Sequence, residues 1–118
     1  TKILKIKGRE FLIENFFDGI VKFNFNELCD RNLGPEDYIA IADISDFLFI
    51  ENLPDFNEGN SNQQQRFISL IDIIYEKKIP MMITSQLELN FINSSKNLLE
   101  PFKRTISRLY ELTSIKYN

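Results

Sequence analysis

Between Asp46 and Ser85 two short apolar runs bracket an amphipathic stretch, and nothing else in the chain limits its fold as much. Phe47–Ile50 and Met81–Thr84 are short, apolar and barely alternating, which fits strands covered on both faces. Between them a helix is expected over Gln63–Lys77. Phe67, Ile68, Leu70, Ile71, Ile74 and Tyr75 give it a wide apolar arc. Arg66, Ser69, Asp72 and Glu76 form a narrow polar stripe, which Ile73 interrupts. Lys77 and Lys78 stand at its C-terminal end, where the helix dipole favours cations, and Pro80 ends it. Strand, helix and strand in this order make a βαβ unit with a right-handed crossover. The connecting loop Pro54–Gln64 is rich in Asn, Gly, Gln and Ser and is expected to be mobile.

The N-terminal segment alternates. Ile3, Leu4 and Ile6 lie between lysines, Phe11 and Ile13 follow, and Val21, Phe23 and Phe25 put one face inward. Gly8-Arg9 and Asp18-Gly19 suit tight turns, because glycine accepts positive φ. Lys2–Phe25 therefore reads as a meander of about two or three strands. Asn26 is a candidate cap for a short helix through Cys29, and Gly34-Pro35 opens a second one. Tyr38, Ile41 and Ala42 share a face of that second helix. After an irregular stretch, Gln86–Glu100, Pro101 starts a last helix. Phe102, Ile106, Leu109 and Tyr110 share one of its faces, and Arg104, Ser107, Arg108 and Glu111 the other. The expected fold class is α/β: a small parallel βαβ core with an N-terminal β-meander and a C-terminal helix. It forms one domain, with the meander over 1–25, helices and βαβ core over 26–85, and loop plus helix over 86–118.

Composition removes several chemistries. The chain has 118 residues and no histidine, so Ser–His triads and His-ligated metals are excluded. Cys29 is alone, so neither an intrachain disulfide nor a Cys-based zinc site can form, and a buried thiol is expected. With 14 Lys and Arg against 17 Asp and Glu the net charge is -3, which argues against a nucleic-acid binder. No apolar run reaches the roughly 20 residues of a membrane span. The chain opens on Thr1 and runs directly into a strand-like pattern, so the middle of a longer protein, or a gene broken upstream, is expected.

Three constellations are candidates for chemistry. Phe47–Ile50 followed by Glu51-Asn52 looks like a strand that delivers a metal-holding carboxylate, or else a buried strand ending in a polar turn. The glycines stand singly, and no G-x-x-x-x-G-K-[ST] can be drawn. Arg104 and Arg108 are one helical turn apart, with Glu111 in reach of Arg108. They form either a solvated face with a local ion pair or a contact for an anion or partner. Arg66 and Asp72 share a stripe but are spaced too far apart to pair within their helix, so bonds to neighbouring loops are expected. No catalytic and no metal-binding residue is assigned.

The blocks "FNELC", "LGPEDY", "FLFIENLP", "QRFISLIDIIYE" and "FKRTISRLYELTSIKY" resemble the C-terminal part of the ZapE/Afg-like ATPases. The matching positions run from Phe25, Leu28 and Cys29 through Asp37, Tyr38, Arg66 and Asp72 to Arg104, Arg108, Glu111 and Tyr117. The chain departs from the family pattern at Gln65 and Leu112, where the family has arginine and methionine. The resemblance implies a nucleotide-binding half with a P-loop and a Walker B acidic pair, and neither lies in this chain. It implies ATP and Mg²⁺ for full-length members, and roles in bacterial cell division or mitochondrial protein homeostasis. This chain is then expected to be a non-catalytic C-terminal fragment without a cofactor of its own. Arg104, Arg108 and Arg66 would contact an anion or a partner. That partner is the P-loop half, another protein or a second copy, in the cytoplasm or peripherally at the inner membrane. The alternative is a free-standing protein-interaction module, or the remnant of a truncated gene, with no nucleotide role.

Overall fold

The computed structural model describes residues 1–114. Tyr117, one of the family-like positions, lies outside them. Four strands precede the first helix, where the alternation suggested two or three. They are β1 (Lys2–Ile6), β2 (Arg9–Ile13), β3 (Asn15–Phe17) and β4 (Ile20–Asn24). β1 and β2 make an antiparallel hairpin. Its turn centres on Lys7 and Gly8, both at positive φ, and Arg9 already belongs to β2. Asp18 and Gly19 make the equivalent turn between β3 and β4.

The meander does not stay apart from the core. β4 runs parallel to β5 (Phe47–Leu53), and β5 parallel to β6 (Met81–Ser85), in a sheet of order β3-β4-β5-β6. The expected βαβ unit is present, with helix α3 (Ser61–Lys77) joining β5 to β6. A second one precedes it, from β4 to β5 through α1 (Phe25–Cys29) and α2 (Pro35–Asp43). Partners in register point to the same side of a sheet. Phe16, Val21, Leu48 and Met81 therefore form one inward row, and Phe23, Ile50 and Ile83 the next. These rows share one hydrophobic cluster with Phe67, Ile68, Leu70, Ile71 and Ile74 of α3.

Caps explain where the helices begin. The cap of α1 is Asn24, not Asn26. Its side chain accepts from the Asn26 N–H, and Glu27 accepts from the Asn24 N–H at 2.9 Å, so two end donors are satisfied reciprocally. Gly34 precedes α2 with Pro35 at its first position, and Asp37 accepts from the Gly34 N–H at 2.8 Å. The last helix, α4, spans Leu99–Thr113 and starts two residues before Pro101. Proline is tolerated there because the first-turn N–H groups have no intrahelical partner. Tyr110, expected inward, is 47% exposed, and Thr105 takes the buried position instead.

The loop Pro54–Gln64, expected to be mobile, is pinned. Phe56 is buried within an aromatic group with Phe25, Phe67 and Phe102, at centroid distances of 5.7 Å for Phe25–Phe67 and 5.4 Å for Phe56–Phe102. Asp55 accepts from the Asn93 backbone at 2.6 Å and from its side-chain amide at 3.0 Å. Glu58 accepts from the Lys96 N–H at 2.8 Å. Polar composition alone hides one buried aromatic and two carboxylates that clasp another loop.

Candidate functional site

The polar stripe of α3 and the outer face of α4 meet at Asp72. Arg108 Nη1 lies 2.6 Å from one carboxylate oxygen of Asp72, and Arg104 Nη2 lies 3.2 Å from the other. Arginines one turn apart repel weakly, and a carboxylate between them offsets that repulsion while tying the two helices together. The guanidinium carbon of Arg108 also sits 4.5 Å from the centroid of the Tyr75 ring. This is a cation–π arrangement that holds it against α3. The neighbouring Glu111 carboxylate pushes the Tyr75 phenol pKa up. The expected Arg108–Glu111 pair is not formed; Asp72 takes the arginine instead.

Beside this network lies an open pocket of about 700 Å³, lined by Tyr75, Lys78, Pro80, Glu111, Leu112 and Ser114. Lys78 reaches it from the left-handed cap of α3, at φ 57.

Arg66 is elsewhere. Its Nη1 donates to the Cys29 carbonyl at 3.0 Å, closing the C-terminal end of α1. The three arginines expected to act as contacts thus divide into a pair on Asp72 and a single residue on α1. Cys29 is fully buried, and loss of solvation raises its thiol pKa to about 12, so it is inert in the folded state. Tyr38 donates to the Leu28 carbonyl at 2.7 Å, and burial raises its pKa as well.

Glu51 does not end a strand. β5 continues through Asn52, at φ 63, to Leu53, with a register shift against β6. The Glu51 carboxylate is paired with Lys22 at 3.0 Å. Gly8 and Gly19 serve hairpin turns, Gly34 precedes a helix, and Gly59 lies in a single 3₁₀ turn. No two of them form a loop that could cradle phosphates. Among the described residues no group of three or more His, Cys, Asp or Glu side chains could share a metal ion. The described residues do not fit a nucleoside triphosphate with its Mg²⁺.

Two polar features escaped the sequence reading. Asp37 is buried and accepts from Arg9 of β2 at 2.6 Å, which ties the first hairpin to α2. Its place three residues after Gly34 is the signal that was available. Gln64 is fully buried, donating to the Ser94 hydroxyl at 2.7 Å and accepting from the Ser95 N–H at 3.1 Å. No local pattern announces a partner about thirty residues away.

Among the described residues no helix is long and apolar enough to cross a membrane.

Comparison with known proteins gives a consistent picture. The family model for the AFG1-like ATPase matches residues 1–118. Lactation elevated protein 1 homolog B of Danio rerio is 33% identical over 89 residues, covering 75% of this chain and 18% of that protein. Cell division protein ZapE of Escherichia coli K12 is 28% identical over 114 residues, covering 97% of this chain and 30% of that protein. The chain thus spans less than a third of the length of these relatives. No solved structure matches it significantly.

Proposed function

Because the chain belongs to the AFG1-like ATPase family, we propose that it acts as the non-catalytic C-terminal part of such an ATPase and couples to a P-loop half. The observation that carries this reading is the family match along the whole chain, set against a span of only 30% of the Escherichia coli relative. Phosphoryl transfer needs a cradle of N–H groups, a phosphate-contacting cation and a held Mg²⁺. Single glycines in turns and caps, and a Glu51 already paired with Lys22, favour placing that machinery outside this chain. ATP and Mg²⁺ then belong to the P-loop half. Cell division, named for the bacterial relative, is the process in which such an ATPase would work.

Arg104 and Arg108 are the groups we assign to contact with an anion or with the partner. Arg104 is the more exposed of the two, at 47% against 28%. Arg66 closes α1 and is left to structure.

The test is a turnover assay on the purified chain with ATP and Mg²⁺. No hydrolysis above background is expected. Hydrolysis that disappears in Glu51→Gln would overturn the reading, since it would give β5 a metal-holding carboxylate.

A further inference from the structure

The central sheet has two faces, and the described chain covers one of them. The other carries Phe17, Ile20 and Phe47 in one cross-strand row, and Lys22, Phe49 and Met82 in the next. Phe17 is 78% exposed, Ile20 52% and Met82 47%. Lys22 lies 5.7 Å above the Phe49 ring and pairs with Glu51, so the apolar rows end in a polar rim. Met82, with Phe47, also lines a cleft of about 340 Å³ that reaches Leu112 near the end of α4.

Bare faces of this kind are unusual for the topology. β4, β5 and β6 are parallel, and parallel strands occur almost only where both faces are covered. The shortest dimension of the molecule, 24 Å, suits one sheet with one helical layer. Meanwhile the bulk of an AFG1-like ATPase lies outside this part, which spans 30% of the Escherichia coli relative and 18% of the zebrafish one.

We infer that the bare face is the seat of the remaining part of an AFG1-like ATPase chain, which lays an amphipathic helical layer across it. This rests on the reading that the chain is part of such an ATPase, and it names the surface through which the parts join. The occupant presents an apolar stripe to Ile20, Phe49 and Met82 and a charged group to the Lys22–Glu51 rim. The cleft beside Met82 takes one large apolar side chain as an anchor.

The test compares the part with the whole. In the 118-residue chain, Ile20→Lys with Met82→Lys is expected to leave the circular-dichroism spectrum unchanged and the thermal midpoint within a few degrees. At the counterpart positions of the full-length Escherichia coli relative, the same two lysines are expected to lower the midpoint by clearly more. A structure of that relative should bury these positions against sequence outside the matched 114 residues. A bare face there, or one covered by a second copy, overturns the inference, as does unfolding of the doubly substituted short chain. Those outcomes leave the functional reading intact, because ATP turnover by the short chain is what tests that reading.

Discussion

At the scale of single residues, Asp72 is the group on which most depends. It is one carboxylate serving two guanidinium groups from another helix. Asp72→Ala leaves Arg104 and Arg108 facing each other and is expected to cost about 1 kcal/mol, the upper range for a partly exposed pair. Arg108→Ala should cost a similar amount, because it also gives up the Tyr75 ring. Arg104→Ala, longer in its contacts and more exposed, should cost only a few tenths. Urea unfolding of the three variants checks that order, and an equal loss in all three would contradict it. Asp55 makes a separate prediction about pH. Hydrogen bonds from the Asn93 side chain and backbone hold its carboxyl below the ordinary value of 3.8. A group depressed in the folded state contributes stability above its unfolded pKa and loses it as pH falls through the folded one. Asp55→Asn should therefore be less stable than the native chain at neutral pH, with the gap closing as pH drops below 3.8. Thermal midpoints taken across that range measure it.

At the scale of elements, the turn before β4 sets the position of the central sheet. Gly19 has φ +87, and its carbonyl accepts from the N–H groups of Asp46 at 2.7 Å and Phe47 at 3.2 Å, which aligns the start of β5. A Cβ there would meet the Asp46 carboxylate, whereas one at Gly8, with φ +77, would meet nothing. Both replacements by alanine carry the backbone cost of a left-handed conformation, roughly 1–2 kcal/mol. Gly19→Ala is expected to lose more than Gly8→Ala, because it also displaces Asp46. Guanidinium unfolding of the pair should show a clear gap, and equal midpoints would mean that Asp46 swings away freely. These turns were legible in the sequence, as were the βαβ unit and the start of α2, because each rests on residues a few positions apart. The cap of α1 was read at Asn26 instead of Asn24, since two asparagines flank Phe25 and both suit the role. The pairing of β4 with β5 was not legible. Its partners are separated by two helices, and no spacing rule reaches across them.

At the scale of the whole molecule, one hydrophobic cluster joins both hairpins, the sheet and the helices. Phe56 enters it from a loop and touches rings from α1, α3 and α4. Phe56→Ala should cost about 3–5 kcal/mol, as for other buried aromatics. It should lower a single global transition rather than create a separate early one. Calorimetry is the check, and a two-step melt would mean that the loop is an independent unit.

What the sequence determined by itself follows from short-range physics. Alternation marked the N-terminal strands, short apolar runs marked β5 and β6, helical spacing marked the apolar arc of α3, and glycine with its neighbours marked the turns. The lone cysteine and the lack of histidine limited the chemistry. The tertiary structure alone decided that Arg104 and Arg108 share Asp72, that Phe56 anchors a polar loop, and that the described residues leave one sheet face bare. Each of these depends on which distant segments win a place against the core. That competition is settled by burial and hydrogen-bond satisfaction across the whole chain, and no window of neighbouring residues contains it.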